Sequence, residues 1–212
     1  MTITEAVAKI KADTKNSKFD QTVELHINLG TDPAKQEQAV RTMVALPHGT
    51  GKAKRVLLIS NSVGAKRASP AIADLEGGDE IITKIVAGEL KPKVDFDAVV
   101  TTPEFMPRLA KTAKILGPAG MMPNPKTGTV SATPDKAIAE IKKGQLDLKT
   151  EKGASVIHTI IGKVSFSDDK LAENFKTVVD ALNAVRPAKL KGKFIKSIIL
   201  KSTQSKGISV DV

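Results

Sequence analysis

The pattern of apolar residues changes twice along this chain of 212 residues, and this change constrains the fold more than any other feature. Residues 23–29 alternate strictly between apolar and polar, which is typical of a strand with one buried face. Residues 55–60 and 97–102 are instead short, almost wholly apolar runs, which indicate parallel strands covered on both faces. From Ile157 the sequence returns to strand patterns of the first region. The two ends of the chain therefore predict one structural body and the middle predicts another.

Helix patterns fill the space between these strands. In the middle, helices are predicted over residues 65–75, 80–87, 103–116 and 134–143, so strands and helices alternate as in an α/β domain. Nearer the ends, helices are predicted from residue 4 to 13 and from Ser167 onward, and further strands over residues 40–46, 157–161, 163–166, 194–200 and 208–212. The predicted fold thus has two domains. Residues 1–48 and 150–212 form a split, sandwich-like α+β domain, and residues 49–149 form an inserted three-layer α/β/α, Rossmann-like domain.

A segment rich in helix and strand breakers separates the two patterns at residues 47–52, Pro-His-Gly-Thr-Gly-Lys. A phosphate-binding loop would need a Gly five positions before the Gly-Lys pair and a Ser or Thr after it, where the chain has Leu46 and Ala53. We therefore interpret the segment as a hinge. The hinge residues are predicted to be Pro47, His48, Gly49 and Gly51.

The chain is strongly basic. It has 33 Lys+Arg against 23 Asp+Glu, a formal net charge of +10, and residues 181–210 contain no acidic side chain at all. A surplus of this kind favours polyanionic partners, because neutralised phosphates release their condensed counterions, although a merely solvated basic face has the same composition. Six Phe, no Tyr and no Trp argue against an aromatic platform for single strands. They favour a protein that contacts the phosphates and 2′-hydroxyls of structured RNA.

Several other functions are excluded by what the chain lacks. Without Cys it has no disulfide framework, thiolate metal site or thiol nucleophile. Its histidines, His26, His48 and His158, are far apart, with no carboxylate at a ligand-like spacing. No run approaches the roughly 18 apolar residues of a membrane span, and no secretory signal pattern is present. We expect a cytoplasmic protein that is not an enzyme and has no catalytic residue, metal, cofactor or membrane contact.

A Gly- and Pro-rich run over residues 116–130 suggests a long, structureless loop, which is uncommon in a compact domain unless it is functional. One interpretation is a lid over a small-molecule or enzymatic site in the middle domain, which binding of a nucleotide or metabolite in calorimetry would support. Another is a general basic RNA chaperone, which would discriminate little between RNAs. For Met121 and Met122 we expect packing or a contact surface rather than metal binding.

The same run, Leu-Gly-Pro-Ala-Gly-Met-Met-Pro-Asn-Pro-Lys-Thr-Gly-Thr-Val, resembles a signature of the ribosomal protein L1 family in its bacterial form. Other segments resemble the family in the same order along nearly the whole chain, at residues 18–24, 46–52, 158–166, 171–174, 191–194 and 202–203. The resemblance implies a structural constituent of the large ribosomal subunit whose split domain binds ribosomal RNA of the mobile stalk. The second domain would swing as deacylated tRNA leaves the exit site.

The resemblance also implies the partners and the binding residues. We expect stalk ribosomal RNA, exit-site tRNA and the protein's own operon mRNA, whose translation it would repress, and a monomer when free. The RNA-binding residues carried over from the family are Lys18, Phe19, Thr22, Glu24, Gly162, Lys163, Ser165, Ser202, Thr203, Gln204 and Lys206. Lys163 is expected to contact a phosphate, and the pattern around Phe19 fits an exposed contact and a core position equally well.

The chain departs from the family pattern at three places. Residues 203–207 are Thr-Gln-Ser-Lys-Gly where the family has Thr-Met-Gly-Pro-Gly, so the turn and the affinity are expected to differ. Ala119 replaces a basic residue, which weakens any phosphate contact by the Pro-rich run. The family's basic N-terminal extension is missing, so a short or trimmed member is expected.

Overall fold

The computed structural model describes residues 1–33, 38–60, 73–151, 153–188, 190 and 192–211, and for Lys126 only the backbone. The helices and strands are, in chain order, α1 (Ile3–Thr14), β1 (Thr22–Leu29), β2 (Arg41–Ala45), β3 (Val56–Ile59), β4 (Leu75–Gly77), α2 (Asp79–Ala87), β5 (Ala98–Thr101), α3 (Met106–Leu109), α4 (Ala113–Ala119), α5 (Pro134–Lys142), β6 (Gln145–Lys149), β7 (Val156–Lys163), α6 (Asp168–Ala184), β8 (Ile195–Ser202) and β9 (Ile208–Val210). The chain forms two compact units. Met1–Lys52 and Lys143–Val212 make the split unit, and Ala53–Lys142 makes the inserted unit.

The split unit is built on an antiparallel sheet in the order β7-β1-β8-β9. The alternation predicted for β1 is observed, since Val23, Leu25, Ile27 and Leu29 are buried against α1 and α6. Helix α1 begins one residue before the predicted start at residue 4, at a capping box in which Thr2 accepts a hydrogen bond from the backbone N–H of Glu5. One face of the sheet thus carries both helices and most of the core of this unit.

A second, two-stranded ribbon corrects the predicted domain boundaries. Strand β2 pairs antiparallel with β6, and Arg41 donates two hydrogen bonds to the carboxylate of Asp147 across the ribbon. Because β6 needs β2 as its partner, residues 143–149 belong to the split unit, and residues 49–52 stay with it as well. The inserted unit is therefore shorter at both ends than the predicted span of 49–149.

The inserted unit contains a parallel sheet in the order β4-β3-β5. Strand β3 is buried along its whole length, as its apolar sequence predicts, because Leu57 and Ile59 pack with α2, α3 and α4 while Val56 and Leu58 pack with α5. The sheet is therefore covered on both faces. Most of the helix predicted over residues 65–75 lies outside the described residues, and its last residue, Leu75, starts β4 instead.

Two predictions about the prolines of this unit are wrong in detail. The helix predicted over residues 103–116 is a chain of short 3₁₀ and α segments, and Pro107, which has no N–H to donate, stands within it. The run over residues 116–130 is not structureless, because α4 continues to Ala119 and ends at Gly120 with φ of 74°. A 3₁₀ turn follows at Pro125–Thr127. Met121 and Met122 pack against the hydrophobic core of this unit, which is the first of the two roles expected for them, packing or a contact surface.

None of the helices in the described part of the chain has the length and apolar character that crossing a bilayer requires.

Replacing Gly144 tests how closely the chain segments before and after the inserted unit approach each other. Its φ is 102°, and a Cβ there would lie 2.5 Å from the Cα of Gly49. We expect Gly144→Ala to lower the free energy of unfolding by about 2 kcal/mol or more, because backbone strain and a backbone clash add up. Urea denaturation followed by circular dichroism measures this.

Gly192→Ala is the matched control. Gly192 also has a positive φ, of 94°, but a Cβ there would meet nothing within 4 Å. It should cost only the strain, about 1 kcal/mol. Equal losses in the two variants would show that the close approach at Gly144 is not a constraint on the fold.

Candidate nucleic-acid interface

Three distant segments of the chain meet at one end of the four-stranded sheet. Strand β1 runs antiparallel to β7 and β8, so its first residues lie beside the last residues of both neighbours. Thr22 pairs with Lys163, and Val23 pairs with both Gly162 and Ser202. We call the polar residues gathered here the sheet-end cluster; its members are Asp20, Gln21, Thr22, Lys163, Ser165, Thr203 and Gln204.

The loop after β8 is tied to the start of β1. The backbone N–H of Thr22 donates to Oγ1 of Thr203 at 3.2 Å, and the backbone N–H of Thr203 donates to the carbonyl of Thr22 at 3.1 Å. The N–H of Gln204 donates to Oε1 of the buried Gln21 at 3.1 Å. The altered loop sequence is therefore anchored at its first two positions, while Thr203, Gln204 and Lys206 stay exposed.

Lys163 is held in place by the same cluster. Its ammonium donates to Oγ1 of Thr22 at 2.9 Å and to the carbonyl of Asp20 at 3.3 Å. The carboxylate of Asp20 accepts hydrogen bonds from the N–H and the hydroxyl of Ser165, at 3.1 and 2.8 Å. An ammonium has three N–H groups, so Lys163 can keep both bonds and still donate one to a phosphate.

Two of the residues carried over from the family lie under the surface. Gly162 is buried at an irregularity between β1 and β7, and a Cβ there would lie 2.9 Å from the side chains of Leu171 and Phe166. Ser202 is fully buried, and its hydroxyl has no hydrogen-bond partner among the described residues. Both residues therefore support the strand ends from inside the protein, and neither is accessible to solvent.

The remaining predicted contacts are on the surface. Phe19 is 49% exposed, which excludes the core position that its sequence pattern also allowed. Lys18 is exposed beside it. Glu24 lies two residues beyond Thr22 along β1, on the face of the sheet without helices, and its carboxylate is 3.8 Å from Lys201 Nζ. The structure therefore brings Lys18, Phe19, Thr22, Lys163 and the loop after β8 to one end, with Glu24 at its margin.

Two of the predicted hinge residues, His48 and Gly49, are hydrogen-bonded to helix α6 of their own unit. The side chain of Asn174 is buried; its Oδ1 accepts from the N–H of His48 at 3.2 Å, and its Nδ2 donates to the carbonyls of Gly49 and Ile161 at 3.1 and 2.7 Å. Gly51 allows Lys163 to pass, since a Cβ there would lie 2.6 Å from Lys163 Cγ. Nothing in the composition of the segment predicted the role of Asn174, although the family-like Leu-Ala-Glu-Asn motif contains it.

The face of the sheet opposite the helices carries a histidine pair that sequence spacing did not predict. Register places His26 directly opposite His158, and the two Nδ1 atoms are 2.5 Å apart. Burial, and then the charge of the neighbouring His158 ring, lower the pKa of His26. Among the described residues no group of three or more His, Asp or Glu side chains is arranged to hold a metal ion. Because the fold lowers the pKa of His26, the pair makes the stability of the protein depend on pH.

Hydroxyl, amide and ammonium groups of this kind are those with which proteins contact the sugars and phosphates of nucleic acids. The comparison with known families agrees with this class, since the model of the ribosomal protein L1p/L10e family matches residues 9–206. The chain belongs to this family. It is a ribosomal protein of the large subunit that binds ribosomal RNA, and the family is structural rather than enzymatic.

Replacing Asn174 tests whether the segment before the inserted unit depends on helix α6. Asn174→Ala leaves the N–H of His48 and the carbonyls of Gly49 and Ile161 without this partner, so we expect a loss of about 3 kcal/mol in the free energy of unfolding. Asn183→Ala, at an exposed position of the same helix, should change it by less than about 0.5 kcal/mol. Similar denaturation midpoints for both variants would contradict this role.

Acidification tests the histidine pair. The folded protein holds His26 at a pKa below its ordinary value of 6.5, so the unfolded chain binds the proton more readily. The free energy of unfolding should therefore be highest above pH 6.5. It should fall as the pH drops from there through the folded-state pKa of His26. Urea denaturation across this range should show a smaller pH dependence for His26→Gln than for the wild type. His158→Gln removes the second cause and should reduce the dependence without abolishing it. An unchanged dependence in both variants would refute the assignment.

Proposed function

We propose that this protein binds the large-subunit ribosomal RNA at the mobile stalk through the sheet-end cluster. The observation that carries the proposal is the convergence on one patch of Thr22 from β1, Lys163 from β7 and Thr203 from the loop after β8. Hydroxyls and backbone groups in fixed positions can follow the RNA backbone, and the ammonium of Lys163 supplies a charge where a phosphate would lie. The net charge of +10 adds attraction that does not depend on sequence.

The same surface is proposed to serve the protein's regulatory role. A message whose fold mimics the ribosomal site would use the same hydrogen-bonding groups, so free protein, acting as a monomer, would repress translation of its own mRNA. Support for this comes from the family resemblance. The geometry adds that the sheet-end cluster is a single patch, which ribosomal RNA and message would occupy in competition.

We also propose that the inserted unit moves as deacylated tRNA is released from the exit site. The chain passes between the units at residues 52–53 and again at residues 142–143. The first crossing comes shortly after His48 and Gly49, which are hydrogen-bonded to Asn174. The bending residues would then lie on the inserted side of Gly51 rather than at Pro47, His48 and Gly49. Short connections of this kind are where domains turn about one another.

Lys163→Gln tests the RNA site, because it removes the charge and keeps a group that can hydrogen-bond to Thr22. In filter binding with a stalk fragment of large-subunit ribosomal RNA, we expect affinity to fall on the order of tenfold. The slope of log affinity against log salt should become shallower by about one.

Lys176→Gln, at an exposed position on α6, is the control and should leave both quantities unchanged. An unchanged salt slope in Lys163→Gln would rule out a phosphate contact there. If the wild-type protein bound the stalk fragment no better than an unrelated duplex, the proposed function itself would be wrong, and general RNA chaperoning would be favoured.

A further inference from the structure

Two imidazole rings meet on the face of the four-stranded sheet that carries no helices. Strand register places His26 of β1 opposite His158 of β7, and their Nδ1 atoms are 2.5 Å apart. The ring planes are inclined by 69°, so the rings approach at their edges and are not stacked. Two nitrogen lone pairs at this distance repel each other unless a positive group lies between them. A proton or a metal ion can occupy that place.

A carboxylate lies beside the outer nitrogen of each ring. Nε2 of His26 is 3.5 Å from a carboxylate oxygen of Glu24, and Nε2 of His158 is 3.9 Å from a carboxylate oxygen of Glu151. Nε2 of His26 is buried and has no hydrogen-bond partner within the described residues. A metal-binding histidine usually donates its other ring N–H to a carboxylate, which fixes the tautomer and makes the binding nitrogen more basic. The order carboxylate, imidazole, imidazole, carboxylate therefore suits one ion between the two Nδ1 atoms.

The pair needs only a small opening to admit an ion. Zinc binds imidazole nitrogens at about 2.0–2.1 Å, and two such nitrogens at the tetrahedral angle are about 3.3 Å apart. The side chain of His158 is 46% exposed, so it has room to turn away from His26 by the required fraction of an ångström. The ion would have two protein ligands, in agreement with the lack of a three-residue metal group in the described part of the chain. Water on the open face of the sheet supplies the other ligands.

The surroundings of the pair favour one class of ion. The ammonium of Lys201 is 3.8 Å from the carboxylate of Glu24, so part of the negative charge that would attract any cation is offset. Ile199, the partner of His26 on β8, adds an apolar side chain. Magnesium and calcium need several oxygen ligands, whereas imidazole nitrogen suits zinc, nickel and copper. The pair therefore selects a transition-metal ion.

We propose that His26 and His158 together bind one divalent transition-metal ion, such as Zn²⁺ or Ni²⁺, through their Nδ1 atoms. Glu24 and Glu151 hold the two rings in orientation from outside. The ion would cross-link β1 to β7, the strand pair at whose end the sheet-end cluster lies. An ion that binds the folded chain and not the unfolded chain stabilises the fold. This site does not depend on the proposed RNA-binding function.

Calorimetric titration of the full chain, produced without a histidine tag and first treated with a chelator, measures the binding. Zn²⁺ should bind at one ion per chain, and Mg²⁺ should not bind. His26→Gln and His158→Gln should each weaken the affinity for Zn²⁺ by about tenfold or more. His48→Gln, which removes the third imidazole of the chain, should leave it unchanged. Wild-type affinity in both pair variants, or equally tight binding of Mg²⁺, would overturn the proposal.

Nuclear magnetic resonance of the wild-type chain locates the ion even where a variant fails to fold. Ni²⁺ added below one equivalent is paramagnetic and broadens the signals of the rings that bind it. The imidazole signals of His26 and His158 should broaden before that of His48. Earlier broadening at His48, or equal broadening of all three, would overturn the assignment to the pair.

The carboxylates are tested by a substitution that keeps both imidazoles. Glu24→Gln should lower the affinity for Zn²⁺ on the order of tenfold. Glu173→Gln is the matched control, because it removes the carboxylate beside His48, and it should have no effect. An unchanged affinity in Glu24→Gln would show that the carboxylate does not support the ligand.

Urea denaturation tests the cross-link between the strands. Saturating Zn²⁺ should raise the denaturation midpoint of the wild type and leave that of His158→Gln unchanged. A wild-type midpoint that Zn²⁺ does not raise, or an equal rise in the variant, would refute a link between β1 and β7.

Discussion

Strand β1 is hydrogen-bonded along both of its edges, to β7 on one side and to β8 on the other. The remainder of the split unit depends on this double pairing. Its alternate residues bury one face against α1 and α6, and its antiparallel neighbours must end where it begins. Residues some 140 and 180 positions away in the chain therefore reach Thr22 without any dedicated connection. The same ladder that stabilises the core also assembles the sheet-end cluster.

The polar groups of the sheet-end cluster are already held in place by hydrogen bonds within the protein. Lys163, Ser165 and Thr203 each bond to the segment that leads into β1, and Asn174 holds the nearby turn from below. Side chains already fixed lose less conformational freedom on binding, so more of each contact energy is available for affinity. The exposed Lys18 and Lys206 differ, because their side chains have no such bonds among the described residues, so in the proposed complex they would act mainly through charge.

Much of the fold could be predicted from local pattern. The alternation of residues 23–29 correctly predicted that one face of β1 is buried, and the apolar run of β3 correctly predicted that both of its faces are buried. Both predictions succeed because the apolar pattern within a strand reflects which of its faces are covered. The boundary of the inserted unit could not be predicted in this way. Strand β6 belongs with β2 through a pairing across about a hundred residues, and no local signal reports a long-range partner. The series of short helices around Pro107 could not be predicted either, because it depends on where proline removes a backbone hydrogen bond.

The site was predicted as a set of positions carried over from a family, and the structure separates them by exposure. Phe19 proved to be on the surface and Ser202 beneath it, a distinction that their sequence neighbours do not contain. The pairing of His26 with His158 was missed because it arises from strand register rather than spacing.

Hydrogen–deuterium exchange of the full chain, with and without the stalk fragment, measures most directly where the RNA lies. Binding at the sheet end predicts slower exchange in peptides covering residues 15–24, 162–166 and 201–207, with little change across residues 103–130. Protection confined to the inserted unit, with the three sheet-end segments exchanging as in the free protein, would contradict the assignment of RNA binding to the split unit.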